Sequence, residues 1–291
     1  MNSSVSRWVS KYVLALLLVT LVWGATFPVL KLATERLSGI EVSALRFFIA
    51  AACMLPWAVR ASRRAWADGA VLGALVLVSY VAQAYGLQFI SSNRSAFLTS
   101  LNVLMVPLLG LAFGNRFSWW VMGAATMACA GIGLMSWDGG ANLWADTATI
   151  FGALAYAGYV ILLSKRAGRH TARELAATQI VWMALLGGAW MLAGAIGTDR
   201  LATLSARLDS QIVWGLVYLG VVATAGMLFL QAMAQRHVSA DKAALIYAME
   251  PVFAALFAWV WLSESLTALA AVGAMLVVAA VVLSEWKSAS A

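Results

Sequence analysis

The residues best placed to do chemistry stand where a polar group is least at home. In Tyr247-Ala248-Met249-Glu250-Pro251 an acid and a proline sit side by side, and an apolar run over 252–262 follows. A carboxylate within hydrocarbon costs about 2.5–3.5 kcal/mol on insertion scales, so it faces a bundle interior or a water-filled cavity. There Glu250 would bind a cationic group or carry a proton. The simpler alternative is a carboxyl group hydrogen-bonded to a neighbouring helix, holding the proline break in place. Proline frees a backbone carbonyl one turn back, which is tolerated only where something else satisfies it. A related stretch runs from Ser95 through Asn102 to Pro107. Pro107 and Pro251 are therefore the expected hinges.

Other polar and aromatic residues recur at helical spacing. Tyr80, Gln83 and Leu87 share one face, and Ser95, Thr99, Asn102 and Val106 make a corresponding stripe. Such faces suit a cavity wall that stacks on an apolar ligand and hydrogen-bonds its polar end. They equally suit interhelical glue. In the second half Gln231 and Gln235, and Gln179 and Met183, are one turn apart; Tyr156, Tyr159 and Trp182 are further candidates. Trp23 is in mid-span beside a glycine. The expected substrate-binding set is Trp23, Tyr80, Gln83, Asn102, Tyr156, Trp182, Tyr247 and Glu250. Lys31 and Arg46 lie towards the outer ends of spans, where they either snorkel to the surface or meet a substrate carboxylate. Glu264 reads as a solvated or capping residue. Gly69-x-x-x-Gly73 and Gly110-x-x-x-Gly114 read as close helix packing.

The elements that must carry these residues are membrane helices. Hydrophobic residues make up 63% of the 291 and charged ones 11%, with mean hydropathy +0.88, whereas a soluble domain is about half apolar and a quarter charged. The net charge of +7 is dispersed over short loops, which fits topology signals and not a nucleic-acid surface. Windows of about twenty apolar residues cross a core about 30 Å thick. They fall at 12–33, 42–59, 68–89, 95–113, 119–137, 147–164, 174–196, 212–235, 242–262 and 268–286. The fold class expected is an all-α integral membrane protein of ten transmembrane helices. Arg7 and Lys11 precede the first window, which continues without a cleavage-like site and reads as an uncleaved helix. With the N-terminus inside, 13 of the 19 Lys and Arg fall in cytoplasmic segments, so both termini are expected in the cytoplasm. Trp119, Trp120, Trp137, Trp144, Trp261 and Trp286 sit at span ends, where aromatic belts form. Cys53 and Cys129 lie within apolar spans and read as buried thiols.

The two halves resemble each other. Gly24 to Lys31 matches Gly158 to Lys165, Glu41-Val42-Ser43-Ala44 matches Glu174-Leu175-Ala176-Ala177, and Ser95 through Pro107 matches Ser239 through Pro251. Five spans per half is odd, so the halves, 1–138 and 147–287, would enter the membrane in opposite directions. Inverted repeats place a site near the midplane and favour alternating access.

Finally, Ala248-Met249-Glu250-Pro251-Val252-Phe253-Ala254-Ala255-Leu256, ending in Leu262-Ser263-Glu264, resembles the signature of EamA domains, within the drug/metabolite transporter superfamily. Trp23-Gly24-Ala25-Thr26-Phe27 with Lys31 resembles the family's first-helix pattern, and Arg46 sits where its second helix often carries an arginine. The chain is most similar to YddG-type exporters of aromatic and other amino acids. Gly114-Asn115-Arg116 departs from the pattern, where relatives end in an acid. The resemblance implies two inverted five-helix repeats around a central cavity. It also implies export of small amphipathic metabolites, amino acids in particular, across a bacterial-type inner membrane. Multidrug or organic-cation efflux, with Glu250 as the proton- or cation-binding acid, is the alternative. No cofactor or metal is expected, and partners reduce to substrate and lipid, with a monomer compatible. H-E-x-x-H and G-x-S-x-G are absent, and His170 and His237 fall in loops, so an enzyme is not expected.

Overall fold

The computed structural model describes residues 11–114, 118–136, 142–262 and 267–290. Arg7, Asn115, Arg116, Trp137, Ser263 and Glu264 lie outside the described residues, as do the side chains of Trp261, Trp286 and Lys287. The described residues are helical throughout, with short connections. In chain order they form α1 (Lys11–Gly24), α2 (Thr26–Thr34), α3 (Gly39–Ala58), α4 (Arg63–Phe89), α5 (Ser92–Ser100), α6 (Asn102–Ala112), α7 (Trp119–Ser136) and α8 (Leu143–Arg166). Then follow α9 (Ala172–Ala195), the short α10 (Leu204–Arg207) and α11 (Ser210–Val217), which continues through a π-helical segment (Tyr218–Gly226) into α12 (Met227–Ala234). The last are α13 (Ala240–Tyr247), α14 (Glu250–Leu262) and α15 (Ala268–Ser290).

Among the described residues, seven helical stretches are long and apolar enough to cross a membrane: Lys11–Thr34, Gly39–Ala58, Arg63–Phe89, Arg94–Ala112, Leu143–Arg169, Ala172–Ala195 and Ser210–Ala234. The windows expected at 119–137 and 268–286 contain the shorter apolar helices Trp119–Met135 and Ala268–Leu283. That expected at 242–262 is divided between α13 and α14. Large apolar side chains such as Leu14, Phe151, Leu185 and Met275 are exposed around the outside, the pattern of a bundle whose solvent is lipid. Trp119, Trp120 and Trp144 are exposed at helix starts, as an interfacial belt requires.

Polar residues in the connections start the helices. Ser62, Ser91, Asn142, Asp209 and Ser239 each accept a backbone N–H of the first turn, an arrangement typically worth about 1 kcal/mol apiece. Two starts carry the full reciprocal box, Ser38 with Glu41 on α3 and Thr171 with Glu174 on α9.

Glycines set how closely the helices approach. A Cβ on Gly73 would lie 2.5 Å from the Gln179 carbonyl oxygen, and one on Gly152 would lie 2.9 Å from the Ala82 Cβ, so α4 packs tightly on both α9 and α8. Gly131 on α7 and Gly273 on α15 meet backbone to backbone. The Gly69/Gly73 reading as a packing motif thus matches the geometry. Gly114 differs: a Cβ there would meet nothing within 4 Å, and the residue follows α6 at φ +85°, a conformation that favours glycine.

Ion pairs tie the two ends of the bundle. At the end where α4 starts, Asp68 binds Arg166 at 3.1 Å and His170 at 2.8 Å. At the end where α3 starts, Arg207 binds Glu41 at 2.7 Å and Arg36 binds Asp209 at 3.0 Å.

Candidate functional site: a central cavity where the helices break

Among the described residues three helices are interrupted: at Ala25 between α1 and α2, at Leu101 between α5 and α6, and at Ala248–Met249 between α13 and α14. The α11–α12 helix is also loosened, by its π segment. All four irregularities gather around one small interior cavity. Irregular backbone at membrane depth survives only where protein buries it or where it lines a cavity.

The cavity wall follows from this arrangement. Trp23 and Thr26 flank the first break, Thr99 and Asn102 the second, and Glu250 adjoins the third. Asn102 and Glu250 hold the same position, each opening the second segment of its broken helix. Unbroken helices supply the rest: Ser79, Tyr80 and Gln83 from α4, Tyr156 from α8 and Arg46 from α3.

The π segment orients two of these side chains. Trp23 Nε1 donates to the Ala223 carbonyl at 2.9 Å, and Arg46 Nε donates to Thr224 Oγ1 at 3.0 Å. Thr224 in turn donates to the Leu219 carbonyl five residues back, at 2.7 Å. Gly220 brings the segment against α3, since a Cβ there would lie 2.8 Å from the Arg46 carbonyl oxygen. Single-turn π irregularities recur at functional sites for such reasons.

Of the expected substrate-binding set, Trp23, Tyr80, Gln83, Asn102, Tyr156 and Glu250 line the cavity together. Tyr247 is buried one layer behind, its ring 5.8 Å from Trp23 and 6.0 Å from Tyr156. Trp182 is turned elsewhere, packing edge-on to Trp66 at 6.3 Å and donating from Nε1 to the Trp66 carbonyl. The expected hinges also sit differently. Pro251 is in the first turn of α14, directly after the break, where a missing N–H costs little. Pro107 lies inside α6, six residues beyond the break at Leu101.

Lys31 and Arg46 part company. Lys31 donates to the Leu87 and Ile90 carbonyls at the end of α4, where its charge suits the helix dipole. Arg46 does not snorkel. It is 4% exposed, because its face of α3 turns into the bundle, and its guanidinium carbon lies 4.8 Å above the Tyr80 ring. Thr26 and Ser79 complete the wall and escaped the sequence reading; each is one helical step from a residue that was singled out.

Beyond Tyr156 the cavity gives way to a buried polar network. Gln231 donates to Tyr156 at 2.9 Å and accepts from Tyr159 at 3.3 Å. Gln235 donates to Ser164 at 2.9 Å and accepts from Tyr247 at 3.3 Å.

Comparison with known proteins agrees with this architecture. A transporter of Archaeoglobus fulgidus described as uncharacterized is 28% identical over 273 residues, covering 93% of this chain and 84% of that protein. YoaV of Bacillus subtilis, likewise described as an uncharacterized transporter, is 23% identical over 92% of this chain and 94% of its own. A crystal structure at 18% identity superposes with a TM-score of 0.73, covering 94% of this chain and 96% of that one, and so shares the fold. The model of the EamA-like transporter family matches residues 10–137 and 143–286. The chain spans the membrane several times and belongs to the EamA-like transporter family.

Proposed function

We propose that this membrane transporter exports small amphipathic metabolites, amino acids including aromatic ones, by alternating access between two inverted five-helix repeats, 1–138 and 147–287. The observation that carries the reading is the mid-bundle cavity. Trp23, Tyr80 and Tyr156 offer aromatic faces, while Arg46, Asn102, Gln83 and Glu250 offer polar groups of both charge signs.

Helix neighbours support the repeat. Matching α1/α2 with α8, α3 with α9, α4 with α11–α12, α5/α6 with α13/α14 and α7 with α15 carries most of the closely packed pairs onto one another. The pairs α3–α9 and α7–α15 map onto themselves; α6–α13 exchanges with α5–α14, α4–α8 with α1–α12, and α4–α9 with α3 and the π segment. The two reciprocal capping boxes also correspond. In this reading both termini and the Asp68–His170 end are cytoplasmic, the membrane is a bacterial-type inner membrane, and the Tyr156–Gln231–Gln235–Tyr247 network closes the cavity towards the cytoplasm. Rocking the halves would break one ionic end while the other forms. The breaks at Leu101 and Ala248–Met249, each followed in its helix by a proline, Pro107 and Pro251, are the points that bend.

A second reading, organic-cation efflux, is favoured by one feature: Glu250 has no hydrogen-bond or ion-pair partner among the described residues. The test is flux of radiolabelled phenylalanine, methionine and threonine into liposomes containing only this protein, with and without a pH gradient. Saturable flux lost on Trp23→Ala or Tyr80→Ala supports the amino-acid reading. Flux only with a gradient, abolished by Glu250→Gln, makes Glu250 a proton carrier. Absence of amino-acid flux in both conditions rules the substrate out.

A further inference from the structure

Resting on the amino-acid reading, we infer that Arg46 is the anion-binding element of the cavity, holding the carboxylate of the substrate. Arg46 is 4% exposed at mid-bundle, where a full positive charge ordinarily requires a counter-charge. Among the described residues it has none. Its Nε is spent on the neutral hydroxyl of Thr224, and its flat face lies over Tyr80. Neither the hydroxyl nor the ring carries a negative charge. Arg46 lines the cavity, and its two terminal nitrogens have no protein acceptor among the described residues. A guanidinium held by its Nε and stacked on a ring presents those nitrogens as a fixed fork, the geometry that carboxylates fill with two parallel hydrogen bonds.

The opposite requirement is met on the same wall. Among the described residues Glu250 faces the cavity without a partner, and Asn102 is fixed by donating to the Thr99 carbonyl at 2.8 Å while its Oδ1 has no donor. The cavity thus holds a cation and two acceptors, with aromatic surface from Trp23 and Tyr156 beside them. A zwitterion with an apolar side chain satisfies every one of these groups. A simple organic cation leaves Arg46 buried and unpaired, which sets the inference apart from the efflux reading.

Three probes of one shape separate the possibilities: L-phenylalanine, 3-phenylpropionate, which lacks the ammonium group, and phenethylamine, which lacks the carboxylate. Binding is measured on the purified full-length protein in nanodiscs by displacement of radiolabelled ligand, with monodispersity and melting as folding controls. Arg46→Gln is expected to weaken L-phenylalanine and 3-phenylpropionate about 10- to 100-fold, the range of a lost charge-assisted hydrogen bond. Phenethylamine should change by less than about threefold on this account, since it never met Arg46. Arg46→Lys should recover part of the loss, keeping the charge without the fork. Equal weakening of all three probes would make Arg46 a structural residue and overturn the inference. So would an unchanged affinity for the two carboxylates. Should Arg46→Gln fail the folding controls, the wild type decides. It must bind at least one carboxylate probe more tightly than phenethylamine, and preference for phenethylamine, or binding of none, overturns the inference. Wild-type binding of 3-phenylpropionate without L-phenylalanine would leave the Arg46 site standing and reject the amino-acid reading.

Discussion

Replacing Gly131 by alanine tests the close packing of α7 against α15. The new Cβ would lie 2.6 Å from the Gly273 carbonyl oxygen and 3.0 Å from both the Leu276 Cβ and the Val277 Cγ2. Ordinary contact begins at 3.4 Å, so the nearest approach is short by about 0.8 Å. The obstructing atom belongs to a backbone and has no rotamer to escape into. The α7–α15 pair must therefore separate by most of that distance. A radial gap of about 0.5–1 Å forfeits a quarter to a half of each dispersion contact, and overpacking of this kind costs about 1–3 kcal/mol. For a chain of this size that lowers the melting temperature by roughly 2–4 °C per kcal/mol. Purified protein in detergent, followed by tryptophan fluorescence on heating, gives the readout. Gly123→Ala supplies the control: it lies on the same helix, and a Cβ there meets nothing within 4 Å. If Gly131→Ala melts with Gly123→Ala and the wild type, the close crossing of α7 and α15 is wrong.

Further expectations concern single groups. Thr171→Ala and Ser38→Ala each remove the acceptor of a capping box and should cost about 1 kcal/mol in the same melting assay. Ser38→Ala should cost the more, because Glu41 also holds Arg207 and loses one of its fixing contacts. Trp182→Phe deletes the bond to the Trp66 carbonyl; it should lower the melting temperature while leaving the KM for transported phenylalanine within about twofold, since the residue is outside the cavity wall. Glu250→Gln should leave the fold intact, as no partner among the described residues is lost. Phenylalanine transport should fall only about three- to tenfold, because the amide oxygen still accepts from an ammonium group while the charge is gone. Complete loss in the flux assay would contradict that.

Much of the frame was legible in the sequence because membrane burial leaves strong local marks. The apolar windows at 147–164 and 174–196 have few readings other than long helices, and they fall in α8 and α9; Thr171 with Glu174 marks a helix start by spacing alone. The Tyr80/Gln83 face was likewise readable from its period on α4, which is straight through those positions. Arg46 was harder. It lies about 10 Å from the start of α3 at 1.5 Å per residue, close enough to snorkel, and only the rotation of α3 against α9 decides that it points inward. The break at Leu101 has no local signal of its own, so attention went to Pro107, whose ring the α6 turn accommodates. The π segment is invisible for a related reason: one inserted residue shifts the period without changing composition, so Thr224 and Ala223 gave no warning of their roles. Trp182 shows the converse limit, since a half-buried tryptophan that reads well for a cavity finds its partner in Trp66 instead.

The most direct measurement is substrate protection of the cavity wall. Gln83→Cys, in protein whose Cys53 and Cys129 are replaced by serine, places one thiol in the cavity on α4. Tyr85→Cys places one on the opposite face, which lines no part of that cavity. Labelling by a small charged thiol reagent is followed with increasing L-phenylalanine. The account predicts that labelling at position 83 slows, half-maximally at the concentration that half-saturates transport, while position 85 is unaffected. Labelling at 83 that ignores a saturating, transported substrate would contradict it.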